Sequence, residues 1–357
     1  MGAGGKLTTR AMRVKKLVKI AIIGAGHVGA ATAFALMLKK LADEIVMIDV
    51  DGRKAEGEAL DLAHAALLGD HPNIYAGTME DCCDAAIVII AAGYAPQLDL
   101  KDTVLIEANL AIIKDVAPKI GMFAPRALLI VATHPNEAMT FAAARLSGLP
   151  AHRVIGYGTS LDTARFKYEL AKQYAVDRRD ISASIVGQQG VFELPLWSTI
   201  TIDGLPIQSY CGQAGIDFNN DEVYACFWRA RNAAFNIFEH KEHASFSMAA
   251  GIVAIVEAIL RDEHTLMTVA VVGKYLGVED IALSVPTRLS RAGALQMPGW
   301  SDDWSEEEAL KSSAQDVKAQ IALLNTPFPA KSVKAGVQLK EAKTAAEKVA
   351  STGTNGV

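Results

Sequence analysis

The sequence predicts an α/β protein: a doubly wound parallel sheet with helices on both faces, followed by an α+β part. Three observations carry this. Short apolar runs (KIAIIG, EIVMID, AAIVIIAAG, ALLIVATHP) alternate with helical patterns through the first 135 residues. The first run ends in a glycine-rich turn. Near residue 150 the pattern changes to short, turn-punctuated stretches and long helical ones. A length of 357 residues suits two domains and can bury a sizeable core.

Taken in order, Lys19 to Gly24 reads as a strand, Ala30 to Lys40 as a helix and Glu44 to Asp49 as a second strand. Strand, helix and strand make a βαβ unit on a parallel sheet. Ala85 to Gly93 and Ala127 to Pro135 are further buried strands, because continuous apolar runs are what a sheet covered on both faces requires. Ser182 to Ile207 is strand-like and punctuated by turns. Asp221 to Leu260 is mostly helical, and Ser305 to Leu324 reads as a long amphipathic helix. The expected division is an N-terminal arm over 1–16, a first domain over 17–150, a second over 151–330 and a tail over 331–357. The sequence has no internal repeats.

Composition narrows the function classes. With 51% hydrophobic and 21% charged residues the chain reads as an ordinary globular protein. A net charge of −5 argues against a nucleic-acid surface. Cys82, Cys83, Cys211 and Cys226 have neither disulfide-framework nor zinc spacing, so no metal is expected and a reduced, cytoplasmic setting is. The longest apolar stretch, Phe246 to Leu260, contains Glu257 and is too short to span a membrane. The basic N-terminus has no apolar segment of the kind a secretory signal needs.

The strongest local signal is Gly24-Ala25-Gly26-His27-Val28-Gly29, a GxGxxG turn between a strand and a helix. Glycines there allow a tight turn and close approach of backbone to a pyrophosphate, and the helix start offers N–H groups to the phosphates. Asp49 ends the next strand, 25 positions after Gly24. A carboxylate there accepts bonds from a ribose and repels a 2′-phosphate, which favours NAD over NADP. Ala92 and Gly93, at the end of a later strand, complete the expected cofactor contacts.

With these residues in view, the sequence resembles the lactate/malate dehydrogenase superfamily over roughly residues 17 to 330. The turn GAGHVG, the stretch EGEALDLAHA (Glu56 to Ala65), SGLPAHRVIGYGTSLDTARFK (Ser147 to Lys167), LPLWS (Leu194 to Ser198) and DIALSVPTRLSRAG (Asp280 to Gly293) carry the likeness in order. The resemblance implies a Rossmann domain, an α/β substrate domain, and a homodimer or homotetramer formed through the helix around Asp61. It also implies a small carboxylate-bearing substrate. In relatives a His gives a proton to the substrate carbonyl, an Asp orients the His, and an Arg grips the carboxylate. A second Arg on a mobile loop polarises the carbonyl.

Asp162 and Arg165 match the orienting Asp and the carboxylate Arg, and lie three apart on one face of a helix start. The remaining positions depart from the pattern. The His position holds Gln189, in Gly187-Gln188-Gln189-Gly190. Gln donates a hydrogen bond but does not titrate. The loop Arg aligns with Asp102, beside Lys101, in a loop that also carries Asp99. The Asn of the usual Asn-Pro pair is His134, and a pocket-wall Thr is Ala244. The expectation is therefore an NAD-dependent oxidoreductase acting on a C–O or C–N centre of a carboxylate substrate other than plain lactate or malate, one bearing a cation that suits Asp99 and Asp102. His134 supplies the titratable group in this reading. A rotated His134 is one candidate for the place beside Asp162, which Gln189 leaves without an imidazole partner. The alternative is an NAD-binding non-redox enzyme or an inactive regulatory homologue.

Overall fold

The computed structural model describes residues 17–69, 72–94, 102–190, 192–241 and 243–324, with backbone alone at 102 and 103. The arm over 1–16, most of the substrate loop including Gln97 to Lys101, and the tail lie outside the described residues.

Six strands of the first half lie in parallel: β1 (Lys19–Ile23), β2 (Glu44–Ile48), β3 (Asn73–Ala76), β4 (Ile87–Ile90), β5 (Leu128–Val131) and β6 (Val154–Gly156). Their spatial order is β3-β2-β1-β4-β5-β6. The order reverses between β1 and β4, whose registers place Ile20 opposite both Ile45 of β2 and Ile87 of β4. Such a switch point opens a crevice at the carboxyl ends of the strands, where ligands of doubly wound sheets bind. Helices α1 (His27–Leu38), α2 (Gly52–Ala66), α3 (Asp102–Phe123) and α4 (Asn136–Ser147) make the crossovers. The strand interiors are buried almost without interruption, as predicted: Ile20 to Ile23, Ile45 to Ile48, Ile87 to Ile90 and Leu128 to Val131. Helix packing on both faces removes the alternation that a half-exposed strand would show.

The second half starts with α5 (Ser160–Tyr174). The strand-like stretch resolves into β7 (Ile181–Ser182), β8 (Ile185–Gly187), β9 (Glu193–Pro195), β10 (Thr201–Ile202) and β11 (Leu205–Pro206). The helical region becomes α6 (Ile207–Ala214), α7 (Asn220–Lys241) and α8 (Ser245–Arg261). Long strands β12 (Thr265–Tyr275) and β13 (Val278–Ser290), short β14 (Gly293–Gln296) and helix α9 (Trp304–Leu324) follow. The large sheet does not stop at β6. It continues antiparallel through β12, β13, β8 and β9, with β14 on β13, while β11, β10 and β7 form a separate small sheet. Phe166 of α5 meets Trp197 and Phe227 edge-on, at centroid distances of 6.1 and 6.2 Å, and anchors a second apolar core with Leu170, Ile185, Ile202 and Cys226. Helix α8 lies along α1, and Lys39 pairs with Glu257 across that contact. Among the described residues no helix is long and apolar enough to cross a membrane.

Candidate active site and cofactor cradle

The glycine turn sits at the carboxyl end of β1. Gly24 has φ +105°, a conformation that L side chains rarely adopt, and a Cβ there would strike Ala92 N at 2.4 Å. Gly29 is closed for a different reason: its Cβ would fall 1.8 Å from Gly24 O, so helix and turn pack backbone to backbone. Gly26 is open, and the nearest atom to a built Cβ is Lys54 Nζ at 3.9 Å. Gly26 is also the N-cap of α1, with no side chain capping it. Two of the glycines thus serve the fold, and the middle one leaves space over uncapped N–H groups, which fits a dinucleotide phosphate. Asp49 Oδ2 accepts from Ala25 N at 2.7 Å, and Oδ1 accepts from Asp51 N at 3.0 Å. These two bonds leave lone pairs on the carboxylate for a ribose. A Cβ on Gly93 would meet Thr133 Cγ2 at 2.8 Å and Asn109 Oδ1 at 3.3 Å, and Thr133 Oγ1 donates to Ala92 O at 2.7 Å.

Across the sheet, α5 starts with a buried ion pair. Arg165 Nη1 donates to Asp162 Oδ1 at 3.0 Å, and both side chains are largely covered. Gln189 Nε2 donates to the other oxygen, Asp162 Oδ2, at 3.1 Å. The turn carrying Gln189 is held at three successive backbone amides. Gln188 N donates to Ser313 Oγ (2.8 Å), Gln189 N to Glu137 Oε1 (3.3 Å) and Gly190 N to Glu193 Oε2 (3.0 Å). Ser284 Oγ donates to the same Glu137 oxygen at 2.6 Å. Helices α9 and α4 and strands β9 and β13 therefore jointly fix where Gln189 points.

Three carboxyls gather here: Asp162, Glu137 and Glu193, each at most 6% exposed. Burial disfavours the charged form and pushes Glu137 up to about 7, against the bonds from Ser284 and the backbone that pull it down. Glu193 is pushed up by burial first and then by the negative charge of Asp162. Glu137 Oε2 is buried with no hydrogen-bond partner among the described residues, as suits a neutral carboxyl better than a carboxylate.

The NAD-binding domain family of lactate/malate dehydrogenases matches residues 18–156, and the α/β C-terminal domain family of the same enzymes matches residues 159–326. This chain belongs to the lactate/malate dehydrogenase family. It is 39% identical to the "Probable L-lactate dehydrogenase" of Schizosaccharomyces pombe, over 86% of this chain and 93% of that protein. It is 38% identical to an L-lactate dehydrogenase of Moorella thermoacetica, over 86% of this chain and 98% of that one. Among solved structures, a ligand-bound minor L-lactate dehydrogenase from Enterococcus mundtii superposes with a TM-score of 0.81 at 31% identity, covering 86% of this chain and 98% of the other.

Within this lactate/malate dehydrogenase fold the residues singled out from sequence fall in two groups. Gly24, Gly26, His27, Val28, Gly29, Asp49, Ala92 and Gly93 converge at the switch point. Asp162, Arg165 and Gln189 meet in one bonded cluster. One expectation needs correction: the place on Asp162 is not left vacant for His134, because Gln189 Nε2 donates to Asp162 Oδ2 there. His134 is half-buried on the turn between β5 and α4, and its carbonyl accepts from Asn109 Nδ2 at 2.6 Å. Lys101 lies outside the described residues, as does the side chain of Asp102. Ala244 is the N-cap residue of α8. Sequence reasoning missed Glu137, Glu193, Ser284 and Ser313. For Glu137 a signal existed: an acid in the otherwise apolar helix start NEAMTFAAA, where solvent exposure is not expected.

Proposed function

We propose that the chain is an NAD-dependent oxidoreductase that moves hydride to or from a C–O or C–N centre of a small carboxylate substrate other than plain lactate or malate. The observation that carries this reading is the Gln189–Asp162 bond beside Arg165. When bound, the nicotinamide cofactor supplies or accepts the hydride. Arg165 grips the carboxylate with its planar fork. Asp162 orients Gln189, whose amide donates an N–H to a reacting oxygen, or accepts through Oε1 from a protonated imine nitrogen, and in neither case gives up a proton. His134, at the carboxyl edge of the sheet, serves as acid or base. A protonated imine needs no such donor, so Gln189 suits a C–N centre best. Lys101 and Asp102 are assigned to substrate contacts by the family pattern, Asp102 being the first residue of α3. Association through α2 is part of the proposal, and Leu60 on that helix is exposed.

The same Gln189 also favours the second reading, an NAD-binding homologue without redox chemistry. NADH absorbance separates the two, with a panel of pyruvate, oxaloacetate, amino-bearing 2-oxo acids and cyclic imine carboxylates. Turnover is expected with a cationic or imine carboxylate. Pyruvate and oxaloacetate are expected to be slower by about 10²-fold or more, the usual scale of a missing acid. His134→Asn is expected to lower the productive rate by about 10²-fold while sparing NADH affinity. Fast turnover of pyruvate overturns the substrate assignment, and flat absorbance throughout favours the non-redox reading.

A further inference from the structure

His27 and His243 stack face to face across the crevice, with ring centroids 4.0 Å apart and planes 15° from parallel. The two residues are 216 positions apart. His27 is the first residue of α1, directly after the open Gly26, and is exposed. His243 sits on the link between α7 and α8, two residues before Ser245. Its Nδ1 lies 3.2 Å from Ser245 Oγ. With the Ser245 hydroxyl donating there, the proton of a neutral His243 ring lies on Nε2 and faces away from that bond. A third nitrogen, Lys54 Nζ from α2, stands over the same turn at Gly26. Donor side chains from α1, α2 and the α7–α8 link thus converge on uncapped backbone N–H groups.

We propose that His243 is a ligand of the dinucleotide pyrophosphate, delivered to the glycine turn from the substrate half of the molecule and placed by its stack on His27. This rests on the reading of the turn as a dinucleotide site. Phosphate chemistry fits better than the adenine or nicotinamide, because the stack lies at the first residue of α1, where N–H groups receive anions. The segment that carries His243 continues into Ala244, the pocket-wall position, at the start of α8. The phosphate contact therefore ties occupancy of the cofactor turn to the segment that borders the substrate.

The test is calorimetric titration of the full chain with ADP-ribose, NADH and adenosine. His243→Phe keeps a ring to stack on His27 but has no N–H. It is expected to weaken ADP-ribose and NADH by about tenfold or more, the scale of a bond to a charged group, and to leave adenosine unchanged. His243→Gln restores an N–H donor and is expected to recover most of the loss. Should the Phe variant fail to fold, the Gln variant is compared with His243→Ala, and equal affinities overturn the proposal. Wild-type affinity for ADP-ribose in the Phe variant also overturns it and leaves the cofactor reading standing. A wild-type protein that binds neither ADP-ribose nor NADH removes the cofactor reading itself, and this proposal with it.

Discussion

Burial at Glu137 makes its neutral form the favoured one in the folded protein, at about 7 against an ordinary value of 4.5. Between those values the native state binds a proton that the unfolded chain has released, so stability falls as pH rises through the window. Glu137 is fully buried, so the effect is not screened, and the loss amounts to about 3 kcal/mol. Glu193, also pushed up, adds a loss of the same sign. Glu137→Gln keeps an oxygen for Ser284 and for Gln189 N but removes the charge. Urea unfolding at pH 5 and pH 8 should show a drop in the wild type that shrinks by about 3 kcal/mol in this variant. An unchanged pH dependence would mean that Glu137 titrates alike in the folded and unfolded chains. At this scale Asp162 and Arg165 were legible in the sequence because they are local, three residues apart on one helix. The Glu137–Gln189 contact was not, because β5–α4 and the β8–β9 turn meet only after several crossovers.

The β1–turn–α1 element separates two uses of glycine. Gly29→Ala drives a methyl into Gly24 O, a backbone atom that cannot swing aside. Overpacking of that kind costs about 1–3 kcal/mol, so this variant should melt lower. Gly26→Ala meets only the flexible end of Lys54, and Gly26 has an ordinary φ of −81°. It should stay within about 1 kcal/mol of wild type, yet lose NADH affinity, because the methyl fills space over the helix N-terminus. Melting curves and NADH titrations on the two variants check this, and equal losses in both quantities would refute the division. The GxGxxG pattern was readable from sequence as one signature. The different duties of its glycines depend on Ala92, just beyond β4 and far away in the chain, and on how closely α1 presses on the turn.

For the whole molecule, cofactor binding at the switch point ties together the ends of β1, β2 and β4. A ligand that binds only the folded state at 100 times its dissociation constant stabilises by about 2.7 kcal/mol. NADH should raise the melting temperature accordingly. NADPH at the same concentration should barely move it, because Asp49 is locked beside the turn by Ala25 N and would face the 2′-phosphate. Equal shifts for the two cofactors would reject this assignment. The sheet itself continues into the second half, since β12 adds directly to β6 at Ala270 and Gly156. That continuity was not visible in a sequence whose pattern changes near residue 150, because one antiparallel pairing leaves no periodic trace.

The sequence by itself determined the strand runs, the glycine turn, Asp49, and membership of the family through collinear motifs. These are local signals: side-chain periodicity and short spacings depend on residues a few positions apart. The tertiary structure alone decided which side chain occupies Asp162, which carboxyls burial pushes toward their neutral form, and which imidazole stacks on His27. Gln189 lies 27 positions from Asp162, Ser284 lies 147 from Glu137, and His243 lies 216 from His27. Contacts at such separations are set by strand order and helix packing, and burial then sets the charge of whatever is brought together. No spacing rule in the chain encodes either.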